Sequence, residues 1–194
     1  MTVKLEYMKY KILILLSVII IIMVCYYLNS TLLQTTQDFV IGVNNISYMK
    51  LTSPEFNNGD AIPKKYTCDG IDVNPPLDIS FVPKDTKSLV LIVDDPDAPS
   101  GVWDHWIKFN IKPTTSFIAE GDENFGVSGK GTSGKLSYMG PCPPDKEHRY
   151  NFTLYAVDIE LPFKQGAAKN ELLNSMKDHI LAETTLLGRY SRLR

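Results

Sequence analysis

The sequence predicts a mostly antiparallel β-core with one peripheral helix near the C-terminus, preceded by an apolar N-terminal segment. Three observations predict this fold class: short β-rich runs bounded by turn residues, segments that alternate apolar and polar residues, and one late segment with helical spacing. At 194 residues, 44% hydrophobic and 22% charged, the chain has the size and composition of a single folded domain.

Three strands are predicted from their residue patterns. Residues 88–93 form a continuous apolar run, which is typical of a strand buried on both faces. A second strand is predicted over residues 103–111, where one face carries Trp103, His105, Ile107, Phe109 and Ile111. A regular strand there turns Trp106 away from His105. A third strand is predicted over residues 148–159, where one face carries His148, Tyr150, Phe152, Leu154 and Ala156.

The later part of the chain carries the helix prediction. Leu172, Leu173, Met176, Ile180 and Leu187 have the spacing of an amphipathic helix. Gly188 is the expected C-cap of that helix, and His179 is expected on it in a structural or exposed role. Residues 112–137 are rich in Gly, Ser and Thr and are predicted to form a long exposed loop.

The N-terminal segment differs from the rest in composition. Residues 12–28 are uncharged and apolar, and three lysines precede them, so we expect residues 1–28 to be a signal anchor with a transmembrane helix. A cleaved signal peptide and a lipoprotein modified at Cys25 are the alternatives. In each case the domain is directed outward: membrane-anchored with an extracytoplasmic domain, or secreted or periplasmic after cleavage. Residues 29–48 are expected to be a linker with a short strand at 39–41, and residues 49–194 the domain.

Charge and motif content exclude several classes of function. The formal net charge of −2 gives no basic surface for nucleic acid. Residues 129–134 match G-x-G-x-x-G, but no β-run precedes them and prolines soon follow, which excludes a dinucleotide site. No G-x-S-x-G nucleophile motif and no paired C-x-x-C spacing occur, so neither a serine hydrolase of that type nor a zinc site is supported.

Two proline-stiffened loops, each followed by a histidine, carry most of the functional information. Residues 94–99 read Asp-Asp-Pro-Asp-Ala-Pro and run on to His105-Trp106. Residues 140–144 read Gly-Pro-Cys-Pro-Pro and run on to His148-Arg149-Tyr150. Proline fixes φ and reduces the entropy that a loop loses on ordering, so such loops suit a preformed pocket for a small ligand.

With these motifs the chain resembles the phosphatidylethanolamine-binding protein family, in its bacterial and archaeal Raf-kinase-inhibitor-like branch. The resemblance covers roughly residues 50–192 and includes Tyr-Thr-Cys-Asp-Gly at 66–70 and Gly-Arg-Tyr at 188–190. It implies an antiparallel β-sandwich with a peripheral C-terminal helix. It also implies a small pocket for a phosphate or a phosphorylated head group, a possible protein partner, and no cofactor, metal or catalytic residue.

The resemblance also implies the ligand-binding residues. His105 and His148 match the histidines of the family's anion pocket, and Asp95 matches its aspartate, expected either to orient a histidine or to bind an ammonium group. Gly140 and Cys142 lie where the pocket wall offers backbone N–H groups, and Tyr190 is a candidate at the rim. Asp97 is expected to have a structural role in its loop.

Two questions stay open on the sequence alone. Cys68 and Cys142 lie in motifs that the resemblance places near the pocket, and they form either a disulfide or two buried free thiols. The leading function is a non-enzymatic binding protein for small anions or phospholipid head groups that modulates a partner protein. The alternatives are inhibition of a kinase or protease by protein–protein contact, a metal-dependent enzyme using the Asp and His residues, and a structural module with a vestigial pocket.

Overall fold

The computed structural model describes residue 16, residues 19–31 and residues 48–192. The chain divides into two compact units, residues 1–47 and residues 48–194. The strand expected at 39–41 and most of the expected 29–48 linker lie outside the described residues.

Over residues 48–192 of the second unit, eight strands form two antiparallel sheets. The strands are β1 (Lys50–Thr52), β2 (Leu77–Ser80), β3 (Ser88–Asp95), β4 (Trp103–Ile111), β5 (Phe117–Ile118), β6 (Val127–Ser128), β7 (His148–Val157) and β8 (Ile180–Tyr190). The smaller sheet has the order β1-β2-β5, and the larger has the order β6-β4-β3-β7-β8. In the first unit, helix α1 is described over residues 19–31. In the second unit, a short 3₁₀ helix, Lys64–Tyr66, precedes β2, and helix α2, Lys169–Met176, lies between β7 and β8.

The larger sheet is buried on both faces around its central strand β3, whose apolar run is covered throughout. One face packs against the smaller sheet through a core that includes Leu91, Val93, Phe152 and Leu77. The opposite face packs under α2 through a second core that includes Ile92, Phe109, Leu172 and Met176. The predicted mostly β, antiparallel fold with a C-terminal helix is confirmed, as a sandwich with the helix on the outside of one sheet.

The extent of the C-terminal helix is corrected. Helix α2 ends at Met176, and Ile180, Leu187 and Gly188 lie in strand β8, where all three pair with β7. The apolar residues from Leu172 onward have helical spacing, but β-branched Thr184 and Thr185 and the long antiparallel pairing with β7 favour a strand. The segment between α2 and β8 holds His179, whose Nδ1 lies 2.8 Å from Asp158 Oδ1.

The predicted transmembrane helix is wrong. Helix α1, in the first unit, is described over residues 19–31, and residues 12–15, 17 and 18 of the expected span lie outside the described residues. Across the described parts of the chain, none of the helices has the length and apolar character needed to cross a membrane.

Strand β4 departs from the regular alternation that the sequence suggests. Val93 pairs with Trp106 and Asp94 pairs with Asp104, so His105 is an extra residue in the ladder, a β-bulge. The bulge turns His105 towards the same face as Trp106, and the His105 ring packs edge-on to Tyr150 with centroids 5.3 Å apart. A second irregularity lies near Asn110, which has φ of 51°. The expectation of five residues on one face of β4 is therefore wrong.

Candidate functional site

Asp95 lies on strand β3, and the two histidines lie on the two strands that flank it. Asp95 is the last residue of β3, and His105 lies near the start of β4 and His148 at the start of β7. Because β4 and β7 both pair with β3 in an antiparallel direction, the end of β3 and the starts of β4 and β7 meet at the same end of the sheet. The three side chains are nearly completely buried.

A cavity of about 390 Å³ opens beside them. It is lined by Asp95, Ala98, Pro99, Ser100, Trp103, His105, Met139, Cys142, Pro144 and His148. Its volume lies within the range of roughly 300–1,000 Å³ that small-molecule sites occupy. Both proline-stiffened loops contribute to the wall, as their residue types suggest.

His105 is held in one tautomer by a backbone carbonyl. Its Nδ1 lies 2.7 Å from the Met139 oxygen, and a carbonyl can only accept, so Nδ1 carries the proton and donates. Burial lowers the pKa of His105, and the Met139 bond and the charge of Asp95 offset this only in part. At neutral pH His105 is therefore neutral, with Nε2 unprotonated and without a hydrogen-bond partner among the described residues.

His148 has the opposite electrostatic surroundings. Its Nδ1 lies 2.7 Å from Asp95 Oδ2, and its Nε2 lies 2.9 Å from Asp145 Oδ1. Burial opposes the charge on the imidazole, but the hydrogen bonds to the two carboxylates outweigh it and raise the pKa of His148. Because both ring nitrogens of His148 face a carboxylate oxygen, its geometry fits the charged imidazolium, whereas the contact with the Met139 carbonyl fits the neutral form of His105.

The Asp95 loop is fixed by further hydrogen bonds. The Asp97 backbone N–H donates to Asp95 Oδ1 at 2.8 Å, so both carboxylate oxygens of Asp95 have partners. Asp97 accepts from Arg149 Nε and Nη2 at 2.8 and 2.7 Å, and this pairing lowers the pKa of Asp97. The structural role expected for Asp97 is consistent with these bonds.

The second loop is tied to the segment around the 3₁₀ helix. Cys68 and Cys142 form a disulfide with Cα atoms 5.4 Å apart, which answers the open question about these cysteines. The Gly140 N–H donates to Asp72 Oδ1 at 2.6 Å, and the Tyr138 hydroxyl donates to the Tyr66 carbonyl at 2.9 Å. These contacts place Met139 and Cys142 at the cavity wall.

The structure brings four of the six predicted site residues to the cavity: Asp95, His105, Cys142 and His148. Gly140 and Tyr190 do not line it. Gly140 packs so closely on the Tyr66 carbonyl oxygen that an added Cβ would lie 2.5 Å from it, and its N–H is already donated. The Tyr190 hydroxyl donates to Asp69 at 2.8 Å. The ligand-binding roles themselves stay predictions.

Sequence reasoning missed several residues of the site. The Met139 carbonyl and the Asp145 carboxylate orient the two imidazoles, and the cavity wall also includes Trp103 and Ser100. The spacing of Asp145, three residues before His148 across a turn, was the one available signal. A backbone carbonyl leaves no signal in the sequence.

The metal-site alternative finds no support in the geometry. Within the described residues, no group of three or more His, Cys, Asp or Glu side chains is arranged to hold a metal ion. The carboxylates of Asp94 and Asp104 are occupied otherwise, because both accept from Lys169. Those bonds outweigh burial and keep the pKa of Lys169 raised.

A family model described as phosphatidylethanolamine-binding protein matches residues 52–191, which include both loops and all of the cavity wall. The chain belongs to the phosphatidylethanolamine-binding protein family. Similar proteins occur in both bacteria and archaea. A protein described as UPF0098 protein from Chlamydia muridarum is 48% identical over 149 residues, covering 74% of this chain and 99% of that protein. Another from Methanothermobacter thermautotrophicus is 47% identical over 150 residues, covering 74% and 99%.

Solved structures of this family share the fold. A crystal structure described as a phosphatidylethanolamine-binding protein homologue from Chlamydia trachomatis superposes with a TM-score of 0.73 at 47% identity, covering 75% of this chain and 99% of that one. The structure of YbcL from Escherichia coli, described as a new member of the mammalian family, gives 0.70 at 26% identity, covering 76% and 100%. The resemblance seen in the sequence motifs is thus confirmed at the level of family and fold.

Proposed function

We propose that the cavity binds a small phosphate-bearing ligand, either free phosphate or a phosphorylated head group such as phosphoethanolamine. The observation that carries the proposal is the pair of buried imidazoles on one wall of the cavity, one bonded to a backbone carbonyl and the other to two carboxylates. The unprotonated Nε2 of His105 accepts from the O–H of a phosphate monoanion, and it donates to a phosphate oxygen once protonated.

The proposal is for binding without turnover. The thiol position at the cavity, Cys142, is oxidised in the disulfide. Among the described residues the Ser100 hydroxyl makes no hydrogen bond to either histidine, so it lacks the base that activates a nucleophile. A phosphoesterase screen of the purified chain should stay at background, and turnover that is lost in His105→Gln would refute this part.

An NMR or calorimetric titration with inorganic phosphate and with phosphoethanolamine tests binding. We expect a dissociation constant between micromolar and millimolar, which is roughly −8 to −4 kcal/mol. His105→Gln should weaken binding at least tenfold. His179→Gln is the matched control, because His179 bonds to Asp158 and does not line the cavity. Equal binding by the wild type and His105→Gln would remove the cavity assignment.

We also propose that the domain works in an oxidising compartment outside the cytoplasm. The disulfide supports this, because such bonds persist in oxidising compartments and are rare where thiols are kept reduced. Alkylation of free thiols in intact cells before lysis tests it, and labelling of Cys68 and Cys142 in the native host would contradict it. Modulation of a partner protein stays a prediction from the family resemblance.

A further inference from the structure

Both ring nitrogens of His148 face a carboxylate oxygen. The distances are 2.7 Å to Asp95 and 2.9 Å to Asp145. A neutral imidazole has one N–H, so only an imidazolium donates to both ionised carboxylates at once. The Lys146 backbone N–H, and then the His148 contact itself, lower the pKa of Asp145 and keep it ionised. His148 therefore has no free N–H in this conformation.

The two carboxylates differ in their access to solvent. The Asp95 side chain is 5% exposed and the His148 side chain is not exposed, whereas the Asp145 side chain is 54% exposed. Asp145 follows Pro144, which lines the cavity beside His148. Asp145 thus contacts His148 from the solvent side, where a rotation of its own side chain breaks the contact. Asp95 is held in place by its bond from the Asp97 N–H.

We propose that Asp145 is a built-in competitor for the ligand phosphate: its carboxylate occupies the Nε2–H of His148, and a phosphate oxygen takes over that donor when Asp145 moves away. This inference rests on the proposed function and concerns the regulation of the same cavity. A carboxylate and a phosphate are both anionic acceptors for a charged donor, so each satisfies the imidazolium in place of the other. While Asp145 stays beside His148, its charge also repels an approaching phosphate.

The other charged groups near this contact do not replace Asp145. Asp97 is bonded to the Arg149 side chain, and that pair is close to neutral as a unit. Lys146 follows Asp145 and contributes a positive charge at the same turn. The net charge of Asp95, His148 and Asp145 together is −1, and it becomes zero when Asp145 is replaced by a neutral residue. In such a variant a phosphate competes only with a neutral acceptor, which holds the charged donor less strongly, and it meets a less negative wall.

The test compares Asp145→Asn with wild type by titration with inorganic phosphate and, separately, with phosphoethanolamine. At pH 6, below the ordinary histidine pKa of about 6.5, His148 remains protonated with Asp95 alone as its partner. We expect the dissociation constant for phosphate to fall about tenfold in Asp145→Asn, and that for phosphoethanolamine to fall as well. Asp145→Ser should act in the same direction. The ¹⁵N resonance of His148 Nε2 should respond to phosphate more strongly in both variants than in the wild type.

Asp85→Asn is the matched control, since Asp85 is exposed, makes the same change of net charge and precedes the opposite end of β3. It should bind as the wild type does. Phosphate binding that is detected only in the two Asp145 variants also supports the proposal that Asp145 competes with the ligand. An unchanged or weaker phosphate affinity in both variants, with His105→Gln still defective, overturns the competitor and leaves the proposed function intact. Weaker phosphoethanolamine binding in Asp145→Asn would instead make Asp145 an ammonium site and overturn the inference. No binding by the wild type or either variant overturns both proposals.

Discussion

The surroundings of the two cavity histidines differ although both are buried on the same wall. His105 donates to a neutral backbone carbonyl, and burial keeps the imidazole uncharged. His148 lies between two carboxylates, whose hydrogen bonds raise its pKa in spite of burial. The hydrogen-bond partner, and not burial alone, therefore decides the protonation of a buried histidine. The cavity wall therefore presents an unprotonated ring nitrogen on His105 and a charged ring on His148.

The largest expected effect comes from a change that removes support from both histidines together. The disulfide anchors the segment that carries the Met139 carbonyl and the Asp145 carboxylate, and it joins residues 74 positions apart. In the chain-entropy account, closing such a loop stabilises the fold by roughly 4 kcal/mol. Cys68→Ser with Cys142→Ser should therefore lower the free energy of unfolding by about that amount.

Urea denaturation with and without a reductant measures this change. Reduction of the wild type should reproduce the double variant, and the double variant should not respond to the reductant. Cys25→Ser is the control, because Cys25 is exposed and unpaired. A reduced wild type as stable as the oxidised form would show that the two halves of the site are held in place without the covalent link.

The next largest expected effect is the loss of the buried carboxylate that pairs with His148. Asp95→Asn removes the buried charge that faces His148, and breaking a buried pair from one side costs about 3 kcal/mol. Asp97→Asn, two residues away, disturbs an exposed pair with Arg149 and should cost about 1 kcal/mol or less. Unfolding of both variants at pH 7 gives the comparison. Equal losses in the two variants would mean that the buried pair stabilises no more than the exposed one.

The smallest effect is a difference in pH dependence. Because its carboxylate partners outweigh burial and raise the pKa of His148, its stabilising contribution is complete below about pH 6.5 and is lost as pH rises through the raised pKa. Burial lowers the pKa of His105, so its contribution is present above about pH 6.5 and is lost as pH falls through the lowered pKa. The two histidines therefore oppose each other on acidification.

Stability measured from pH 8 to pH 5 in His148→Gln and His105→Gln checks these signs. Relative to wild type, His148→Gln should lose stability on acidification and His105→Gln should gain it. His179→Gln, outside the cavity, is the control. The same direction of change in both cavity variants would contradict the assignment of opposite protonation states.

The elements that the sequence predicts well are those whose patterns reflect a single face or full burial. The apolar run of β3 and the alternation from His148 to Ala156 in β7 both appear as predicted. The alternation in β4 fails at His105, because a bulge depends on a one-residue mismatch with the paired strand and leaves no local signal. The helical spacing after Leu172 fails at Ile180, where pairing with β7 overrides it.

In the site, the side chains could be predicted from the sequence but their hydrogen-bond partners could not. The side chains of Asp95, His105 and His148 could be assigned from their motifs because their chemistry is visible in the residue type. Their hydrogen-bond partners could not, since the Met139 carbonyl is common to all residues and the Asp145 contact depends on the turn before β7. The transmembrane prediction rested on the apolar composition of residues 12–28 alone, and none of the described helices is long and apolar enough to cross a membrane.

The disulfide makes one stretch of the chain a closed covalent ring. Residues 68–142 include β2 to β6 and His105, whereas His148 and β7 lie outside that ring. A single proteolytic cut between Cys68 and Cys142, for example in the exposed part of residues 112–137, therefore leaves the two pieces joined. The nicked protein keeps the mass of an intact chain on a non-reducing gel and separates into two bands only after reduction.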